Sequence, residues 1–170
     1  MKDLLILVDE NDNEIGTETK DACHRNPVPL HRAFSIFVFN KKGQLLIQKR
    51  ASSKKTWGGC WSNTVCSHPR KGETLEEATQ RRLQEEFGFT TSLHYVFTFT
   101  YEAQWNDIWG EHEVDNVFFG TYDGPIAANK NEIEDWKFVD TGILRANMKR
   151  DPDAYTPWFK LSLERVLKEK

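Results

Sequence analysis

The first half of the chain alternates short apolar runs with polar segments, a pattern typical of β-strands. Leu4–Val8 is a continuous apolar run, and after a polar turn Glu14–Thr19 forms a second extended segment. Two further runs, Ala33–Asn40 and Gln44–Lys49, are separated by a short turn that ends at Gly43. These two runs predict a β-hairpin.

Helical periodicity begins after a long irregular segment, residues 51–73, which is rich in Gly, Ser, Trp and Pro. Thr74 and Glu77 have the spacing of a capping box, in which each side chain satisfies a backbone N–H at the other position. We expect the helix to run to about Phe87 and to stop at Gly88. An irregular segment as long as the one before it is usually functional in a compact domain.

The remaining apolar runs complete the predicted architecture. Strands are expected around Leu93–Tyr101, Glu113–Tyr122 and Asp135–Val139, and a terminal helix has Pro157 near its first turn. The apolar positions of that helix are Trp158, Leu161, Leu163 and Val166. Several strands with one central and one terminal helix indicate an α/β or α+β sandwich, built as one domain over residues 1–170.

Composition narrows the class of protein. Hydrophobic residues at 38% and charged residues at 29% indicate a soluble globular chain. A net charge of −3 and a pI near 6.0 disfavour nucleic-acid binding. The apolar N-terminal run is too short for a signal peptide, and no run has membrane-spanning length. Three cysteines form no even framework, which favours reduced thiols and a cytoplasmic protein.

The predicted central helix has a carboxylate on its apolar face. That face is formed by Leu75, Ala78, Leu83 and Phe87. Glu86 lies in its middle with Arg82 beside it, and a buried carboxylate needs a cation or hydrogen-bond donors to stay ionised. One interpretation is an ordinary i, i+4 ion pair between the two residues. The other is a metal-binding glutamate beside an arginine that contacts phosphate.

A second group of residues has the chemistry of a metal site. Cys66 stands two residues before His68, whereas His24 and His31 lie in a loop-like segment before the predicted hairpin. Glu111 and Glu113 alternate in a strand and therefore point to one face, with His112 on the other. Each of these residues alone is more often structural. Together, a thiol, imidazoles and carboxylates suit a metal ion with an acid–base group beside it.

The helix and the loop before it resemble the Nudix box, which reads Gly, five residues, Glu, seven residues and Arg-Glu-apolar-x-Glu-Glu-x-Gly-apolar. The matching positions are Ser67, Glu73, Arg81, Arg82, Leu83, Glu85, Glu86, Gly88 and Phe89. Ser67 replaces the first Gly, and Arg82 replaces a metal-binding Glu. The second departure argues against ordinary Nudix hydrolysis.

The chain also resembles the type I isopentenyl-diphosphate isomerases, a Nudix-fold family, from about Leu5 to the region of Trp158. The most specific segments are Ser53–Lys55 and Trp61–Pro69, and Ser67 and Arg82 both suit this family. The resemblance implies a Nudix-type mixed β-sheet sandwiched between helices. It also implies conversion of isopentenyl diphosphate to dimethylallyl diphosphate, a step of isoprenoid biosynthesis.

The resemblance implies a role for each candidate residue. One Mn²⁺ or Zn²⁺ ion would be held by His24, His31, His68, Glu111 and Glu113. Cys66 and Glu113 would exchange protons with the substrate from opposite sides, assisted by Tyr101, while the π-face of Trp158 stabilises positive charge. Glu86 and the main chain of Cys66 would hold the Mg²⁺ that arrives with the diphosphate. The phosphates would be bound by Lys20, Arg50, Lys54 and Arg82.

Two other functions remain open at this point. The chain could be a Nudix hydrolase of a nucleoside diphosphate derivative, although Arg82 and the Cys66 cluster argue against it. It could also be a non-catalytic sensor of diphosphates, which would have little use for both Cys66 and Glu113. For the isomerase we expect a small-molecule substrate, no nucleic acid or membrane partner, and a monomer or weak homodimer.

Overall fold

The structure, a computed structural model, describes residues 3–170. Its strands are β1 Leu4–Val8, β2 Glu14–Thr19, β3 His31–Phe39, β4 Leu45–Arg50, β5 Trp61–Ser62, β6 Val65–Ser67, β7 Leu93–Gln104, β8 Gly110–Thr121 and β9 Ile133–Val139. Its helices are α1 Lys20–His24, α2 Leu75–Phe87, α3 Thr141–Arg150 and α4 Pro157–Glu169, with a 3₁₀ turn at Pro152–Ala154. The strands form one mixed sheet.

The sheet is organised around β3. This strand pairs in parallel with β8 along its whole length and antiparallel with β6, and both of its faces are buried. The predicted β3–β4 hairpin is therefore wrong beyond its turn: the two strands share only the pair Phe39 and Leu45. Instead β4 pairs with β9. Continuous apolar runs are typical of central strands, and such runs do not identify their partners.

Two apolar clusters cover the two faces of the sheet. Phe37 and Phe39 of β3 face α4, and the intervening Ile36 and Val38 face α2. This alternation follows from the two-residue period of a strand. The predicted sandwich is confirmed. Within residues 3–170, no helix is both long and apolar enough to cross a bilayer.

The central helix begins and ends as predicted. Thr74 and Glu77 form both hydrogen bonds of the capping box, and Gly88 ends α2 with a left-handed backbone (φ +73°). Glu86 is only 3% exposed. Trp158, Leu163 and Val166 form the buried face of α4. The inclusion of Leu161 in this apolar set is wrong, because the residue is 60% exposed.

Some elements differ from the sequence-based expectation. His24 ends helix α1 and His31 begins β3, so neither residue lies in a loop. The segment 51–73, expected to be irregular, contains the short strands β5 and β6. Helices α1 and α3 had not been predicted. A five-residue helix is too short for a periodic signal, and α3 buries a single residue, Leu144.

Candidate active site

Five side chains from separate parts of the chain meet at one end of the parallel β3–β8 pair. They are His24, His31, His68, Glu111 and Glu113, and their ligand atoms all lie within 4.8 Å of one another. The register places His31 directly beside Glu113 on the neighbouring strand. His112, between the two glutamates, points away and contacts the carbonyl oxygen of Val28 at 3.3 Å. The alternation expected from the sequence therefore holds.

The imidazoles of His24 and His31 are oriented by backbone carbonyl groups. Nδ1 of His24 lies 2.6 Å from the oxygen of Lys20, and Nδ1 of His31 lies 2.9 Å from the oxygen of Pro29. Because a carbonyl oxygen only accepts, each Nδ1 must carry a proton, and in the neutral ring Nε2 presents a lone pair. This arrangement is the usual one for metal-bound histidines.

The Nε2 atoms of both rings lie close to carboxylate groups. Nε2 of His24 is 3.1 Å from Oε2 of Glu111, and Nε2 of His31 is 3.4 Å from Oε1 of Glu113. His31 Nε2 and Glu111 Oε2 are buried and make no well-formed hydrogen bond with any described residue. A cation among these atoms would satisfy them all, so the donor set fits a divalent ion.

Electrostatics favours the same interpretation. Burial, with the neighbouring His24 and His31, holds the pKa of His68 well below its usual value. Burial also opposes the charged form of Glu113, yet hydrogen bonding and charge from His31 lower the pKa of this carboxyl group. Glu113 is therefore an anion beside a neutral His68, a combination that binds a metal ion.

A cavity of about 290 Å³ opens beside the cluster. Cys66, Tyr101 and Trp158 line it together with four of the candidate ligands. The hydroxyl group of Tyr101 donates to Oε2 of Glu113 over 2.6 Å. Burial raises the pKa of the Cys66 thiol to about 11, although the charge of Arg50 opposes this, so the thiol is protonated at neutral pH. The cavity thus contains two groups that can exchange protons.

Another part of the cavity is cationic. It is lined by Lys20, Arg50, Lys54 and Arg82. Burial and the charges of Lys54 and Arg82 lower the pKa of Lys20, which indicates crowded positive charge. Such a group of side chains suits an anionic ligand with several oxygens.

Glu86 has the partners that a buried carboxylate requires. Arg82 donates to Oε1, and Nε2 of Gln48 donates to Oε2 over 2.9 Å. Arg82 also contacts Glu85 at 2.7 Å and Glu132 at 3.6 Å. The i, i+4 pair therefore exists, and Arg82 lines the cavity, whereas Glu86 is not among the described residues that line it. A Mg²⁺ ligand role for Glu86 or for the main chain of Cys66 stays a prediction.

Sequence reasoning missed several residues around the site. Thr56 donates to Oε1 of Glu111 over 3.0 Å, Glu132 binds Lys54, and Ser62 contacts both Trp158 and Cys66. Apart from Ser62 and Cys66, which are four positions apart, these contacts join residues far apart in the chain. No motif or periodicity in the sequence indicates them.

Comparison with known proteins gives consistent matches. A family model described as the NUDIX domain matches residues 29–159. The chain is 48% identical over 167 residues to isopentenyl-diphosphate Delta-isomerase 1 of Aromatoleum aromaticum, covering 98% of this chain and 94% of that protein. It is also 48% identical over 160 residues to isopentenyl-diphosphate Delta-isomerase 2 of Photorhabdus laumondii, covering 94% and 90% respectively.

A solved structure gives the same fold. DR0079 of Deinococcus radiodurans superposes with a TM-score of 0.76 at 22% identity, covering 95% of this chain and 98% of that one. At this identity the likeness concerns the fold alone. The NUDIX match begins after His24, so one candidate ligand comes from the segment that precedes it.

Proposed function

The chain belongs to the isopentenyl-diphosphate Delta-isomerases of the Nudix family, and from this premise we propose that it converts isopentenyl diphosphate to dimethylallyl diphosphate by proton transfer. One observation carries the mechanism. Four members of the cluster of three imidazoles and two carboxylates line the same cavity as a protonated thiol, Cys66.

The reaction adds a proton to the terminal carbon of the double bond and removes one from the carbon on the other side of the cation. No atom is gained or lost overall, so two proton-handling groups suffice. We assign these roles to Cys66 and Glu113, facing the substrate from opposite sides. Tyr101 holds Glu113 by its 2.6 Å hydrogen bond. The π-face of Trp158 stabilises the positive charge between the two steps. In a desolvated site this effect reaches about 2 kcal/mol or more.

The His/Glu cluster would hold one divalent ion. Mn²⁺ or Zn²⁺ would be held by His24, His31, His68, Glu111 and Glu113, since imidazole and carboxylate together suit such borderline ions. When bound, the ion supplies positive charge that keeps the carboxylates ionised. Its protein ligands are oriented by Thr56 and by the backbone carbonyl groups of Lys20 and Pro29.

The diphosphate end of the substrate would lie in the cationic part of the cavity. We propose that Lys20, Arg50, Lys54 and Arg82 contact phosphate oxygens there. Mg²⁺ carried by the diphosphate would be bound by Glu86 and the main chain of Cys66. Arg82 stands where a Nudix hydrolase has a metal-binding glutamate, which disfavours hydrolysis.

The test is to incubate metal-loaded protein with isopentenyl diphosphate in D₂O. Deuterium in the dimethylallyl diphosphate formed is expected, because the added proton comes from groups that exchange with solvent. The Cys66→Ala variant is the matched control. Hydrolysis of a nucleoside diphosphate derivative without isomerisation would instead support the hydrolase. Binding of diphosphates with no turnover would support a sensor.

We also propose a monomer or weak homodimer, one domain over residues 1–170 and a cytoplasmic location. Cys23, Cys60 and Cys66 are all free thiols, which supports the location. Gel filtration with light scattering tests the oligomeric state.

A further inference from the structure

The hydroxyl group of Ser62 lies at the centre of a buried polar group behind the cavity. This residue is completely buried. Its Oγ lies 3.1 Å from Nε1 of Trp158, 2.9 Å from Oγ1 of Thr156 and 3.0 Å from Oδ1 of Asn63. The sulfur of Cys66 lies further away, at 3.8 Å. One small side chain thus contacts two residues that line the cavity.

The direction of each hydrogen bond follows from the neighbours. The amide nitrogen of Asn63 donates to the carbonyl oxygens of Ile36 and Val65, at 3.2 and 2.8 Å. Its Oδ1 must therefore accept, and the proton comes from Ser62. The oxygen of Ser62 in turn accepts from the indole N–H of Trp158, a group that only donates. The amide of Asn63, itself completely buried, therefore fixes the direction of the hydrogen bonds from Trp158 to Ser62 and from Ser62 to Asn63.

The acceptor capacity of Ser62 is then fully used. Two lone pairs are available on a hydroxyl oxygen, one is taken by Trp158, and Thr156 at 2.9 Å occupies the other. Cys66 receives a separate contact, from Nη1 of Arg50 to its sulfur at 3.6 Å. Of the two cavity-lining residues that it contacts, Ser62 therefore forms a full hydrogen bond only with Trp158, and its contact with the thiol is secondary.

Trp158 needs this bond. The residue is 3% exposed, so an indole N–H without an acceptor would be buried and unsatisfied. The ring lies edge-on to Trp57 with centroids 5.4 Å apart, and 6.1 Å from the ring of Tyr101. Packing confines the ring, and the hydrogen bond fixes its rotation within that packing.

We infer that Ser62 is a positioning residue, whose hydroxyl group fixes the face that Trp158 presents to the cavity. The inference rests on the proposed isomerase function, in which that face stabilises a cation. Cation–π attraction depends on where the charge lies over the ring. Loss of the hydroxyl group would slow the chemical step while leaving the cationic diphosphate subsite intact.

Ser62→Ala tests this inference in the full-length, metal-loaded protein. We expect kcat to fall about tenfold, the effect of one lost hydrogen bond. KM for isopentenyl diphosphate should stay near the wild-type value. Ser62→Thr retains the hydroxyl group and should restore kcat. Thr156→Val is the matched control: it removes a buried hydroxyl from the same group, but not the acceptor of the indole.

A second readout does not depend on turnover. The ¹⁵N–¹H resonance of the Trp158 indole, assigned by its disappearance in Trp158→Phe, should shift in Ser62→Ala and keep its position in Thr156→Val. An unchanged resonance in Ser62→Ala would overturn the inference. A larger KM effect than kcat effect would do the same.

The double variant Ser62→Ala/Trp158→Phe gives a further test and covers a failure of Ser62→Ala to fold, since Phe needs no acceptor. In the Trp158→Phe background the Ser62 substitution should leave the residual kcat unchanged. An equal loss in both backgrounds would show that Ser62 acts through another group. Inactive wild-type protein would contradict the proposed function, whereas active wild-type protein with unchanged Ser62→Ala kinetics would contradict this inference alone.

Discussion

Cys66 and Glu113 are predicted to be the two groups that move protons. Cys66→Ala and Glu113→Gln should each lower kcat by about 10²–10⁴-fold, the usual contribution of general acid–base catalysis, while the fold is retained. Turnover of isopentenyl diphosphate and circular dichroism measure the two effects. The thiol is only partly exposed and makes weak polar contacts, at 3.6 and 3.8 Å, so its loss should cost little stability.

Cys60→Ala is the control for the thiol. Cys60 has similar exposure and precedes β5, and its thiol donates to the carbonyl oxygen of Asp153, with the sulfur 3.7 Å away. Its removal should leave turnover near the wild-type rate. A Cys66→Ala protein as active as Cys60→Ala would mean that the thiol has no role in proton transfer.

Single residues were predictable where chemistry and local spacing coincide. Glu111 and Glu113 were placed on one face because strand geometry has a period of two, and the structure agrees. Ser62, Thr56 and Glu132 were not identified. Each of them forms a hydrogen bond with a residue at least 55 positions away in the chain: Thr56 with Glu111, Ser62 with Trp158, and Glu132 with Lys54. A single sequence carries no local sign of such contacts.

At the scale of elements, helix α2 carries Arg82 and Glu86, which are either an ion pair that stabilises the helix or residues that bind the diphosphate and its Mg²⁺. Arg82→Leu with Glu86→Met should leave the free energy of unfolding unchanged or increase it by about 1–4 kcal/mol, because both buried charges are removed together. Gln48 keeps a partner in the carbonyl oxygen of Thr64, at 2.6 Å. If both residues act on substrate, a non-reactive diphosphate with Mg²⁺ should no longer raise the melting temperature.

The matched control is the i, i+4 pair Arg165–Glu169 on α4, which is partly exposed. Replacing it by Leu and Met should leave the ligand-induced rise in melting temperature at the wild-type size. If the α2 double variant also kept the full rise, Arg82 and Glu86 would be a helix-stabilising pair with no part in binding.

Elements were predictable when their signals were local. The capping box and Gly88 set both ends of α2 within the sequence of the helix itself. Strand pairing is not local, so two adjacent apolar runs were interpreted as a hairpin although β4 pairs with β9. Helix α3 buries only Leu144, with Met148 one turn later packed against the same core, so its apolar stripe is short.

At the scale of the whole molecule, the candidate metal ion would join α1, β3, the segment after β6, and β8. His24→Ala, His31→Ala and His68→Ala should each lower the amount of tightly bound Mn²⁺ or Zn²⁺, measured by mass spectrometry of the metal in purified protein. Chelation should lower the melting temperature, since ligand at 100 times its Kd stabilises by about 2.7 kcal/mol. Faster hydrogen exchange is expected in α1, which supplies His24.

His112→Ala is the control for these variants. His112 lies between two candidate ligands in sequence but faces the other side of β8. Its loss should change neither metal content nor exchange in α1. Full metal occupancy in all three ligand variants would rule out the five-ligand site.

Trp158 reaches the cavity from α4, and forty-five positions separate it from Glu113, the last candidate ligand. During synthesis at about 5–20 residues per second, the five ligands are therefore made a few seconds before Trp158. A nascent chain at that stage has every group for holding the ion but no α4 to cover Phe37 and Phe39. Translation thus orders the assembly of the site, with capture of the ion possible before closure of the apolar pocket.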